Sequence, residues 1–169
     1  MDKIENYKKI GFFGNEYSKK ININTQNNIL FAKGFGSLQN TFENKFKKYY
    51  NILKKDYSIF FDKNINFALK NKLNIVNKFD DDLFSNLKAI VGRPSFGIIT
   101  ESISKKIPFY PVSDKRDLES ISMTKKIEEL FGKTQSIETY IKHTFIKFKS
   151  YNFQFNAEKI ILKEILKKL

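Results

Sequence analysis

The chain has 169 residues, 41% of them hydrophobic and 15% aromatic, enough for one domain with a proper core and too apolar for a disordered polymer. It has no cysteine, which excludes a disulfide framework or thiolate metal site, and no apolar run reaches the roughly 20 residues of a membrane span. Lysine and arginine outnumber acids 31 to 18, for a formal charge of +13, yet arginine occurs only at Arg93 and Arg116. The lysines accompany abundant Asn, Ile, Phe and Tyr, which share AT-rich codons. The basic balance therefore reads first as codon usage and only second as attraction to anionic lipid, phosphorylated substrates or nucleic acid. The first residues mix acids with bases and show no apolar leader with a cleavage site, so a cytoplasmic protein is expected, with peripheral contact at the inner membrane face as an option.

Residues 1–27 are polar and irregular apart from 10–14 (IGFFG), and read as an extension or linker remnant; 28–169 read as one domain. Residues 28–32 (NILFA) form a short apolar strand closed by 33–37 (KGFGS). Phe42, Phe46, Tyr49, Tyr50 and Leu53 then recur at helical spacing. Strands are expected at 57–61, 73–76, 89–91 and 109–112. Helices are expected at 66–70, at 81–86 (opened by acids), from 95 to 104, and near 117–130, 137–149 and 157–166. Short continuous apolar strands alternating with helices imply βαβ units, hence an α/β, doubly wound, mostly parallel Rossmann-like sheet with helices on both faces. Ligands of such sheets sit outside the carboxyl ends of the strands.

Two loops at that edge hold four of the seven glycines: Gly34 and Gly36 in the first, Gly92 and Gly97 around the second. Glycine there lets backbone N–H groups approach an anion at a helix N-terminus. The first loop lacks both GxxxxGK[ST] and the full GxGxxG, so a plain βα turn is an equal reading. In the second, Ser95 is the expected N-cap, and two helix starts converging on one crevice suit a pyrophosphate. Gly36 and Gly97 are expected to be small because backbone must approach phosphate or another chain segment. Glu101, early in that second helix, is placed to accept from vicinal hydroxyls such as those of a ribose, or else is a first-turn acid favoured by the dipole. The single histidine, His143, and the run Asp80, Asp81, Asp82 are explained by helix faces and a helix start better than by catalysis or metal binding.

From 28 to about 130 the chain resembles the carboxy-terminal, nucleotide-sugar-binding domain of GT-B glycosyltransferases, nearest the MurG-like and UDP-glycosyltransferase-like group. The resemblance rests on ILFAKGFGS at 29–37, on KFDDDLF at 78–84, and above all on AIVGRPSFGIITESISKKIPFYP at 89–111. It implies that Glu101 holds the ribose hydroxyls and that Arg93, Ser95, Phe96 and Gly97 lie beside the diphosphate. It further implies that Phe79, Asp80 and Leu83 border the nucleobase, and that Gly34, Gly36 and Ser37 face the phosphates and acceptor side. Where that family carries Gln or Glu-Gln and then Asn-Ala near the donor sugar, this chain has acids, and Asp117 and Glu119 take that place. The resemblance implies a UDP-sugar donor and no required metal. An acceptor-binding domain or partner chain would supply the acceptor site and catalytic base. The rival reading is a non-catalytic nucleotide- or nucleic-acid-binding module, although nucleic acid is not the expected partner.

Overall fold

A computed structural model of the chain describes residues 27–34, 39–131, 136–137, 139 and 166–167. Gly36 and Ser37, the 10–14 segment, His143 and most of the last two expected helices lie outside them. Ten elements follow one another: β1 (Asn28–Ala32), α1 (Gln39–Leu53), β2 (Ser58–Asp62), α2 (Asn66–Lys70), β3 (Ile75–Val76), α3 (Asp81–Ser85), β4 (Leu87–Gly92), α4 (Phe96–Ser104), β5 (Phe109–Pro111) and α5 (Leu118–Phe131). The five strands form one sheet in the order β3-β2-β1-β4-β5, and every pairing is parallel. Strand order reverses between β1 and β4, which opens a crevice at their carboxyl ends.

Side chains alternate across β1, so Ile29 and Phe31 enter one layer while Leu30 and Ala32 enter the other. The first layer gathers Phe42, Phe46 and Leu53 of α1, Phe61 of β2 and Ala68 of α2, with Ile137 buried beside them. Phe31 stands edge-on to Phe61 at 5.3 Å and tilted to Phe46 at 5.7 Å, the offset arrangements aromatic pairs prefer. The second layer sets Phe84 of α3, Ile99 and Ile103 of α4 and Ile127 of α5 against Leu30 and Ile90. Helices thus cover both faces. A register shift between Asn28 and Ile29 passes Lys88 over, which puts Leu87 in the second layer with Ile90 rather than with Val91.

Helix α2 has no cap of its own, because Ile65 stands at its N-cap. Glu43 of α1 substitutes, accepting from the N–H groups of Asn66 at 2.9 Å and Phe67 at 3.1 Å. Glu43 also accepts from the buried Lys33 ammonium at 3.1 Å, which in turn donates to the Asn64 carbonyl. Among the described residues no helix is long and apolar enough to cross a membrane.

The close-approach glycine is Gly92, not Gly97. A Cβ on Gly92 would stand 2.4 Å from the Ala32 carbonyl oxygen, whereas one on Gly97 meets nothing within 4 Å, so no described chain segment needs Gly97 to be small. Gly92→Ala should therefore lower unfolding free energy by about 1–3 kcal/mol or more, since backbone opposes the new methyl. Gly97→Ala, in a helix and in open space, should be neutral or stabilising by up to about 1 kcal/mol. Urea titration of both variants checks the contrast.

Candidate functional site

A cavity of about 250 Å³ opens at the carboxyl edge, lined by Ala32 ending β1 and Gly34 after it, Asp62 ending β2, Phe79 and Phe84 around α3, and Arg93, Ser95, Ile98 and Glu101 from the β4–α4 unit. It therefore sits at the reversal of strand order. Gly34, Phe79, Arg93, Ser95 and Glu101 are residues the sequence nominated; Asp62, Ala32, Phe84 and Ile98 are not.

Asp62 is 2% exposed and satisfied at both oxygens. Oδ2 accepts from the N–H groups of Lys33 at 3.1 Å and Gly34 at 2.9 Å, and Oδ1 from Asn64 N at 3.0 Å and Nδ2 at 2.9 Å. Two consequences follow. A carboxylate receiving four donors is a brace rather than a base. The Gly34 N–H, expected to meet an anion, is turned to Asp62 instead; Gly34 at φ +66 contributes the left-handed turn and bare backbone.

Arg93, 14% exposed, donates from Nε to Asp117 at 2.6 Å and from Nη2 to Glu119 at 2.7 Å. Neither acid lines the cavity. Both stand at the start of α5 as counter-ions of the arginine that does, and they clamp the β4–α4 loop to that helix. Asp117 divides its oxygens, Oδ2 to Arg93 and Oδ1 to the Ser120 N–H at 3.1 Å. Burial opposes ionisation of Asp117, but the Arg93 guanidinium and Ser120 outweigh it and hold its carboxyl below the usual range. Burial likewise works against the Arg93 charge and is overcome by Asp117 and Glu119, so its pKa stays above normal.

Glu101 differs from the other two charged groups of the lining. Its carboxylate is half-exposed, with Lys105 Nζ at 3.5 Å one turn on. That same ammonium lies 2.5 Å from Asp81 of α3 and 5.3 Å from the Phe84 ring centroid, so it ties the wall carrying Glu101 to the wall carrying the aromatics. Burial lowers the Lys105 pKa less than Asp81 and Glu101 raise it. Phe79, 43% exposed, tilts against Phe84 at 6.3 Å and offers a flat apolar face.

The rest of the nominated segment does other work. Asp80 caps α3, accepting from the Leu83 N–H at 3.0 Å, and this bond chiefly, against desolvation and helped by Lys78, lowers its pKa. Leu83 packs on the second core layer with its amide committed to that cap, so of Phe79, Asp80 and Leu83 only Phe79 reaches the cavity. Ser95 holds the N-cap position of α4 with extended backbone, yet its hydroxyl makes no capping bond and no acid occupies the first turn. Phe96 and Gly97 are exposed there. Among the described residues no group of three or more His, Cys, Asp or Glu is arranged to hold a metal.

No family model matches the chain, and no curated protein or solved structure matches it.

Because Asp117 titrates below its unfolded value, its stabilisation is complete above about pH 5 and lost as pH falls through the folded pKa. Asp117→Asn should cost about 1.5–3 kcal/mol at pH 7, with the gap to the parent protein narrowing at pH 3. Glu119→Gln, at a 59% exposed partner, should cost no more than about 1 kcal/mol. Chemical denaturation at the two pH values checks both the sign and the ranking.

Proposed function

We propose that the chain is the donor-binding domain of a GT-B-like glycosyltransferase, holding a UDP-sugar in the cavity at the strand-order reversal. The observation that carries this reading is the position of Glu101: a half-exposed carboxylate at the rim of a crevice whose other carboxylate is filled by N–H donors and whose one cation is paired with two acids. Asp62 accepts four N–H bonds and the Arg93 charge is matched by two acids, which leaves Glu101 as the lining carboxylate with capacity to accept from a ligand. Vicinal ribose hydroxyls suit it. Phe79 and Phe84 provide a flat apolar wall for a base. The uncapped first turn of α4, with open space at Gly97, suits the diphosphate, whose charge the helix dipole offsets.

In this reading the departing UDP is stabilised by dipoles and N–H groups as charge develops on its β-phosphate, with no metal required. The acceptor and its base come from another domain or chain, because positioning two substrates contributes roughly 7–11 kcal/mol to such a transfer. A surface of net charge +13 would favour an anionic, lipid-borne acceptor's membrane.

Calorimetric titration with UDP, CDP, GDP and ADP should show UDP binding tightest. Glu101→Gln removes a charge-assisted hydrogen bond and should weaken UDP about ten- to a hundredfold. Unchanged affinity in the folded variant would remove Glu101 from the ribose. Moderate loss of affinity with added salt is expected, whereas a steep power-law collapse would favour nucleic acid as the ligand.

A further inference from the structure

A second cavity, of about 270 Å³, lies at the opposite end of the sheet, where β2 begins and the chain enters β3. Tyr50 reaches it from the last turn of α1 and Lys54 from just past that helix, Tyr57 and Ser58 from the entry to β2, and Lys72 and Asn74 from the loop after α2. No carboxylate lines it. Neither Lys54 nor Lys72 is ion-paired among the described residues, and Lys54 Nζ stands 5.3 Å from the Tyr50 ring centroid. A third ammonium, that of Lys88, lies over the Tyr57 ring at 5.2 Å. Burial, and secondarily Asp56, raises the Tyr57 pKa, so its phenol stays an O–H donor at neutral pH.

Backbone conformation adds a second observation. Lys72 follows the C-cap of α2 with φ +52, the left-handed region where glycine or asparagine is the usual choice. Lys106 does the same after α4 at φ +56, so strain alone selects nothing, and a cation after a helix C-terminus is favourable in itself. What distinguishes Lys72 is that its side chain lines a cavity with a second lysine outside the ion pairs of the described residues and two polar donors, the Tyr57 phenol and the Ser58 hydroxyl, beside an Asn74 amide that donates to the Ile59 carbonyl at 3.4 Å. Donors and positive charge converge, while Tyr50, Leu73 and Phe61 supply apolar wall.

We propose that this second cavity binds a small organic phosphate, its oxygens taken by Lys54 and Lys72 and its flat apolar group lying against Tyr50 and Tyr57. The site is independent of the donor cavity, being built from different residues at the other sheet edge. Phenyl phosphate is the probe, followed by amide chemical shifts of the full chain. Shifts should centre on Tyr57, Ser58, Leu73 and Asn74, and inorganic phosphate, lacking the ring, should bind more weakly. Lys72→Gly removes the charge while relieving the left-handed backbone, so the thermal midpoint should stay at or above that of the parent while affinity falls about tenfold or more. Lys54→Ala should weaken binding similarly, and Glu101→Gln should leave it unchanged even if that variant abolishes UDP binding. Absence of these shifts, equal affinity in folded Lys72→Gly, or loss in Glu101→Gln would overturn the proposal. So would binding to phosphatidic acid vesicles, sensitive to Lys72→Gly, without binding of phenyl phosphate.

Discussion

The buried Asp62 carboxylate gathers four hydrogen bonds from the chain around it, and the geometry of the carboxyl edge depends on that gathering. A carboxylate 2% exposed is costly unless every lone pair is used, so the sequence that places it there must also bring Lys33, Gly34 and Asn64 to it. Once they arrive, the end of β1 is tied to the end of β2. Gly34 takes a left-handed turn at φ +66 with its N–H on the Asp62 carboxylate. On the other side of β1, the absence of a side chain at Gly92 lets β4 run within contact of Ala32. The crevice opens between the braced ends of β1 and β2 and the close-packed β1–β4 pair.

Charge is then distributed so that little of it is spare. Arg93 spans from the end of β4 to two acids at the start of α5, and Lys105 spans from α4 to α3. Each cation ties a helix to its neighbour over the second core layer, and each sits beside the cavity. Such pairs contribute modestly to stability when exposed and more where desolvated, but here their larger effect is positional. They fix the walls and leave the Glu101 carboxylate half-exposed at the rim, where the proposed ligand's hydroxyls would meet it. Phe79, exposed and tilted on Phe84, completes a wall that a flat ring can occupy.

Much of the architecture is legible because both-face burial makes each strand a continuous apolar run: β1 coincides with the 28–32 run, and α2 with 66–70. Boundaries slipped where polar ends hide. The apolar run at 57–61 lies one residue ahead of the strand, Ser58–Asp62, and an apolar pattern does not reach the polar Asp62, although an acid closing a buried strand of an α/β sheet is itself a signal. β3 is shorter than 73–76 suggests, because only Ile75 and Val76 stand in register with β2, Asn74 contributing a single carbonyl that accepts from the Phe61 N–H at 2.8 Å. The site residues Arg93, Ser95 and Glu101 were legible because one local unit, strand to loop to helix, carries them together. The counter-ion role of Asp117 and Glu119 was not, since it depends on α5 returning to β4, a contact that spacing cannot express. Nor was the turning of the Gly34 amide to Asp62, which is set by a residue 28 positions away.

The central claim is that a nucleoside diphosphate occupies the cavity at the strand-order reversal. Amide chemical-shift mapping of the full chain titrated with UDP tests it most directly, since it reports location as well as affinity. The account predicts saturable shifts at Gly34, Phe79, Ser95, Gly97, Ile98 and Glu101, with the start of β2 and the loop before β3 unmoved. Shifts confined to other surfaces, or none at millimolar UDP, would contradict it.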